Sequence, residues 1–221
     1  GEFAVHFLNH FGDKDIHFGN LVHPNSEEFD PIKETKVLNK TLAKQVNMWL
    51  GEISPGVRLN TTEIPNSPNI LLEIQFEQPS LGHTNKFRPT NVGFGISYAL
   101  PIIVALLAAQ SGDILIIENP ESHIHPRGQA ELGKLIALAS LNDVQIMVET
   151  HSDHIVNGIR VVVKEQNVAR ERIALFYFEK EVAEKEQFSK ITNIDINKSG
   201  DLNVYPSNLL NEWSNQLMRL V

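Results

Sequence analysis

Two short stretches concentrate the groups able to do chemistry. Glu118-Asn-Pro-Glu-Ser-His-Ile-His-Pro126 follows the apolar run Ile114–Ile117, and Glu149-Thr-His-Ser-Asp-His154 follows the run 144–148. A carboxylate at the end of an apolar strand is placed to hold a divalent cation whose other positions are filled by water and phosphate. Upstream, Asn91-Val-Gly-Phe-Gly-Ile-Ser97 leads into an apolar segment. A glycine-containing turn at a helix start offers backbone N–H groups and a positive dipole to an anion. His151, after the second strand, can reach the last phosphate of a nucleotide bound there. Each residue also has a plainer reading: Glu118 as a sheet cap or a partner of Arg127 or Lys134, Ser97 and Ser152 as N-caps, His125 and His154 as structural histidines. A metal-dependent hydrolase is the competing chemical reading, because Glu118, Glu121, His123, His125, His151, Asp153 and His154 all follow neighbouring strands and suit zinc or manganese. The histidines before residue 84 are scattered without ligand spacing.

These positions matter because ligands of open parallel sheets sit beyond the carboxyl ends of the strands. Apolar runs at 70–76, 113–118, 144–149 and 172–178 alternate with helical patterns at about 96–110, 126–141 and 153–165, the βαβ signature of a parallel sheet. The continuous apolar character of 114–117 and 173–178 predicts that helices cover both sheet faces. Pro126 and Ser152 open the second and third helices. Residues 4–35 read as loop with short strands, 34–50 as a helix stopped by Gly51, and 54–69 as a connector. Ile191, Ile194 and Ile196 against Leu202 and Val204, around Lys198–Asp201, predict a hairpin. Leu209, Leu210, Trp213, Leu217 and Leu220 predict a closing amphipathic helix. The fold class is α/β: a mostly parallel sheet flanked by helices, followed by a hairpin and a helix.

Composition narrows the classes further. The 221 residues are 42 % hydrophobic and 21 % charged, enough for one sizeable core. Nineteen Lys and Arg against 27 Asp and Glu give −8, which gives no support to bulk nucleic-acid binding. The absence of cysteine removes disulfides, thiolate metal sites and Cys nucleophiles. The longest apolar run, Ala99–Ala109 broken only by Pro101, falls short of the roughly 20 residues that cross a bilayer and reads as a buried helix. No Lys/Arg-led apolar stretch opens the chain, Gly1-Glu2-Phe3 reads as a vector remnant, and a soluble cytoplasmic protein without membrane partners is expected.

The order of these pieces resembles the ABC-type ATPases, in the branch that holds SMC-like heads and the OLD nucleases. Bacterial AAA ATPases ending in a DUF3696 domain, several of them phage-defence proteins, are similar over about 70–165 by motif and over 170–210 by the ending Gly200-Asp-Leu-Asn-Val-Tyr-Pro206. The resemblance implies the C-terminal lobe of a P-loop NTPase: an N-terminal segment over 4–69, the lobe over 70–169, and a DUF3696-like region over 170–221. It implies ATP and magnesium (Mg2+) as ligands, with Gly93, Phe94, Gly95 and Ser97 facing the γ-phosphate bound to an opposite protomer. Glu118 takes the Walker B position as magnesium ligand, Ser122–His125 the D-loop, with His125 among the nucleotide-binding residues, and His151 the switch histidine. Asn119 stands where the catalytic base usually is, and an amide cannot accept that proton. Glu121 or a water held by Asn119 then assists the attack, or the protein binds ATP as a slow switch. The one G-x-x-x-x-G-K match, Gly128–Lys134, is followed by Leu135 and lies in a predicted helix, so it is no Walker A loop. The implied partners are a second copy of the chain, a lobe carrying the phosphate loop on the same or another chain, and an effector protein. A nucleotide-free dimerisation or interaction module is the third reading.

Overall fold

The computed structural model describes residues 3–182, 186–206, 209 and 212–220, and the chain divides into two compact units, Gly1–Gly158 and Ile159–Val221. In the first unit, α1 (Ala4–Phe11) precedes an antiparallel ribbon of β1 (Glu27–Asp30) and β2 (Thr35–Leu38). Then come α2 (Leu42–Ile53) and an antiparallel meander of β3 (Val57–Glu63), β4 (Ile70–Gln78) and β5 (Gly82–His83). The segment that carries the candidate site follows: α3 (Phe94–Ala108), β6 (Ile114–Glu118), α4 (Pro126–Ser140), β7 (Gln145–Glu149) and α5 (Asp153–Glu165). The second unit holds an antiparallel ribbon of β8 (Leu175–Val182) and β9 (Gln187–Ile194), and then α6 (Glu212–Met218).

The core of the first unit is built around α3. Ile96, Ala99, Leu100, Ile103, Val104, Leu106 and Leu107 are all buried, a wide apolar face that leaves one stripe, from Phe94 and Tyr98 through Pro101 and Ala105, exposed or half-buried. Both α2 and α4 pack on it; α2 buries Leu42, Val46, Trp49 and Leu50, and α4 buries Leu132, Leu135 and Ile136. Trp49 keeps its indole N–H satisfied by donating to the Leu21 carbonyl at 2.9 Å. Glycines let α4 and α5 approach closely: a Cβ on Gly133 would lie 2.4 Å from the Ile155 carbonyl oxygen, and one on Gly158 would lie 2.2 Å from that of Ala130. Gly128 therefore sits in the first turn of a packed helix and Gly133 inside it, so the segment Gly128–Lys134 is helix and not a loop wrapped round a phosphate.

In the second unit Ile194, Ile196 and Leu202 are buried, and Ile196 bridges Leu202 across the expected turn. The Asn197 side-chain oxygen closes that turn by accepting the N–H groups of Ser199 and Asp201.

The structure corrects several sequence expectations. Among the described residues the only parallel pair is β6–β7, in the register Ile114↔Gln145 to Glu118↔Glu149. Residues 70–76 pair antiparallel with β3, and 175–182 pair antiparallel with β9, whose largely polar sequence carries no apolar alternation to announce it. Nor is the parallel pair covered on both faces: Ile114 and Ile116 are 60 % and 70 % exposed. The helix expected from residue 34 starts at Leu42, because the Asn39 side chain accepts the N–H and hydroxyl of Thr41 and turns the chain after β2. Residues 4–35 include α1, and 54–69 include β3, which the Pro55-Gly56 turn opens with φ +76° at the glycine. Helix α3 starts two residues earlier than expected, with Gly93 rather than Ser97 at its N-cap. At the chain end Leu217 and Leu220 are exposed, while Leu210 and the side chain of Trp213 lie outside the described residues, as do Gly1 and Glu2.

Candidate functional site

The carboxyl ends of β6 and β7 lie side by side, so the two loops rich in polar groups start next to each other. Glu118 ends β6 with an exposed side chain, and among the described residues no hydrogen bond or ion pair reaches its carboxylate. Arg127 pairs with Glu52 and Lys134 with Glu131, so neither of the partners considered for Glu118 takes it. Asn119 follows at φ +47°, a left-handed conformation that Asn tolerates, and its N–H donates to the Glu149 carbonyl at 3.0 Å. That bond ties the first loop to the end of β7.

Glu121 is placed differently. Its Oε2 accepts the Thr150 hydroxyl at 2.6 Å and its Oε1 accepts the His151 N–H at 2.8 Å. The His151 ring stands free of the protein interior, 81 % exposed, with Nε2 3.2 Å from Glu149 Oε1. Ser152 opens α5 as expected: its hydroxyl oxygen accepts the N–H groups of His154 and Ile155. His154 reaches Asp153 at 3.6 Å. His125 is the N-cap of α4, its Nδ1 accepting the Arg127 N–H at 3.4 Å, which leaves only Nε2 for any other contact.

The start of α3 is brought against the same loop. A Cβ on Gly95 would lie 2.6 Å from the His123 carbonyl oxygen, so glycine at 95 is demanded by this approach, whereas Gly93 has open space around it. The rings of Phe94 and Tyr98 stand 5.6 and 4.9 Å from that of His123, which sits at φ +61°. No side chain caps the helix at Gly93, and Ser97 is exposed in the first turn. The structure thus brings Phe94 and Gly95 against the loop that follows Glu118 and holds Asn119, Glu121 and His125, and ties that loop to the one that holds His151; Gly93 and Ser97 flank the same turn of α3.

It does not gather a metal-hydrolase set. Among the described residues no three His, Asp or Glu side chains converge as metal ligands, which removes the geometric basis of the competing reading. A single free carboxylate suits magnesium better, since that ion is held by one or two carboxylates together with phosphate and water. A separate cleft of about 320 Å³, lined by Lys44, Asn47, Arg58, Leu59, Asn60, Gln75 and His83, contains none of these residues. Its Lys44 and Arg58 are already paired with Glu28 and Glu77.

Residues missed by the sequence reading are Gln129 and Thr150. The Gln129 amide donates to the Ile124 carbonyl at 2.7 Å and accepts the Ser152 hydroxyl at 2.6 Å. The one sequence signal was an amide near the start of a largely apolar helix.

Residues 6–157 match the family model AAA_21, described as "AAA domain, putative AbiEii toxin, Type IV TA system". The chain belongs to this AAA family. Membership gives the α/β fold of an AAA-type, nucleotide-binding ATPase domain. Residues 168–220 of this AAA protein match a second family, "Protein of unknown function (DUF3696)". No curated protein matches the chain. Among solved structures it is similar to one from "Structural biochemistry of ATP-driven dimerization and DNA stimulated activation of SMC ATPases", at 13 % identity and TM-score 0.48 over 81 % of this chain and 90 % of that one. It is also similar to "Crystal structure of the SmcHead bound to the C-winged helix domain of ScpA", at 14 % identity and TM-score 0.48 over 72 % of this chain. It spans 43 % of that second chain. Among the described residues no helix is long and apolar enough to cross a membrane.

Proposed function

We propose that the chain is the C-terminal part of an ATPase that acts as an ATP-dependent dimerising switch. The observation that carries this reading is the convergence on one loop: the free Glu118 carboxylate precedes it, and the uncapped start of α3 packs against it through Gly95 and His123. Backbone N–H groups at the start of α3, with the Ser97 hydroxyl, present a positive dipole end to the γ-phosphate of a nucleotide held by a second copy. Glu118 holds magnesium, which supplies charge neutralisation of the phosphates. Asn119 offers hydrogen bonds but takes no proton, so hydrolysis is slow and the bound state persists. His151, exposed beside Glu149, stabilises the charge that develops on the transferred group. The lobe with the phosphate loop, on the same or another chain, covers the open face of β6–β7.

Light scattering on the complete protein, with its phosphate loop, tests this. A mass shift from one copy to two is expected with ATP and magnesium, and Ser97→Arg, which puts a long side chain where the phosphate would sit, is expected to abolish it. One unchanged mass in every nucleotide state would overturn the switch.

A further inference from the structure

The loops after β6 and β7 are joined by hydrogen bonds that the proposed chemistry does not use. Both oxygens of Glu121 are occupied, by the Thr150 hydroxyl and by the His151 N–H. Thr150 Oγ1 accepts the Ser152 N–H at 3.0 Å, and the Ser152 hydroxyl donates to Gln129 Oε1 at 2.6 Å. The Gln129 amide nitrogen returns to the first loop, donating to the carbonyls of Ile124 at 2.7 Å and Glu121 at 3.4 Å. Gln129 lies in the first turn of α4 and is half-buried, so one side chain on a rigid helix holds both loops.

We propose that Glu121 and Gln129 are positioning residues that latch the His151 loop onto the loop after Glu118. The carboxylate is the stronger clasp, because hydrogen bonds to an ionised acceptor are roughly twice as strong as neutral ones. Gln129 supplies what a carboxylate cannot, donors toward the Ile124 and Glu121 carbonyls, beside an acceptor toward the Ser152 hydroxyl. The latch fixes the backbone from which the exposed His151 ring projects. In this role Glu121 holds the other loop, with one hydrogen bond at each oxygen, in place of activating water. What the held loop does in catalysis rests on the ATPase reading; the latch itself does not.

Two measurements on the complete protein separate these levels. Amide hydrogen exchange at His151 and Ser152 is expected to rise at least about tenfold in Glu121→Ala and Gln129→Met, with Glu121→Gln close to wild type, because the amide can still accept the His151 N–H and meet the Thr150 hydroxyl. Unchanged exchange in Glu121→Ala would overturn the latch. In ATP turnover, Glu121→Ala and Gln129→Met are expected to lower kcat about 10- to 100-fold, the scale of a small misplacement, with KM within about threefold. Glu121→Gln is expected to recover most of that loss. If Glu121→Gln falls as far as Glu121→Ala, the carboxylate itself enters the reaction and the positioning role is overturned. Absence of turnover in the wild type would instead remove the ATPase reading, and exchange alone would decide the latch.

Discussion

Glu118 ends β6 and Glu121 stands in the loop that follows, three residues on, and their surroundings give them different work. Glu118 has no partner for its carboxylate among the described residues, while Glu121 is bound on both oxygens by the neighbouring loop. If Glu118 is the magnesium ligand, Glu118→Gln is expected to lower kcat about 100-fold, since removing one well-placed electrostatic stabiliser costs on that order. His151→Ala is expected to slow turnover by a similar factor while changing nucleotide affinity little, because its ring serves charge that develops only during transfer. Steady-state kinetics with a binding titration check both, and an unchanged kcat in the two variants would refute the site assignment. The positions of Glu118 and His151 at strand ends were legible from sequence. The division of labour between the two glutamates was not, because it depends on Thr150 and on the His151 backbone, which approach only when β6 and β7 pair. Gly93 and Gly95 carry the same lesson. They read alike as a glycine-rich turn, yet only Gly95 faces a backbone carbonyl from the loop after β6.

At the scale of elements, the segments that announced themselves have strong local signals. The apolar run announces α3, though not its start, while the Pro126 start of α4 and the Ser152 cap of α5 each write a boundary into a few consecutive residues. The ribbon β1–β2 carries no such signal; it is short, polar and fixed by contacts with α2. Lys44 Nζ on α2 lies 2.6 Å from Glu28 Oε1 on β1, and Asn39 donates to the other oxygen at 2.9 Å. The Lys44 hydrogen bond, followed by that of Asn39, holds the Glu28 carboxyl below its usual range. A carboxyl whose pKa is lower in the folded state stabilises the fold above the ordinary Glu value of about 4.3, and that contribution is lost as pH falls through the lower folded value. Because the pair is partly exposed, it is worth less than about 1 kcal/mol. Glu28→Gln is therefore expected to be slightly less stable than wild type in urea at pH 7 and equal to it at acid pH, below the folded pKa. A gap of the same size at both pH values would show that the pair does not titrate as described.

The largest disagreement between sequence and structure concerns the whole molecule. The runs 114–117 and 173–178 promised strands buried on both faces, yet the parallel pair has two strands, with Ile114, Ile116 and Met147 exposed at 60 %, 70 % and 47 %. A two-stranded sheet with one bare apolar face is marginal by itself, and a sequence pattern reports the burial of the finished assembly rather than of one piece. On the proposed reading the missing cover is the lobe with the phosphate loop, so the run 114–117 looks like a central strand although Ile117 is buried and Ile114 and Ile116 are bare. If the lobe with the phosphate loop supplies the cover, the cost of a charge on that face depends on whether the lobe is present. Ile116→Lys is expected to change the stability of the 221-residue chain by no more than about 0.5 kcal/mol, as surface substitutions do. In the complete protein the same substitution buries an unpaired ammonium against an apolar partner, which is expected to destabilise it by several kcal/mol and to abolish nucleotide binding. Chemical denaturation of both proteins decides the matter. Equal, small losses in the two would mean that the face stays open to water and that the lobe docks elsewhere.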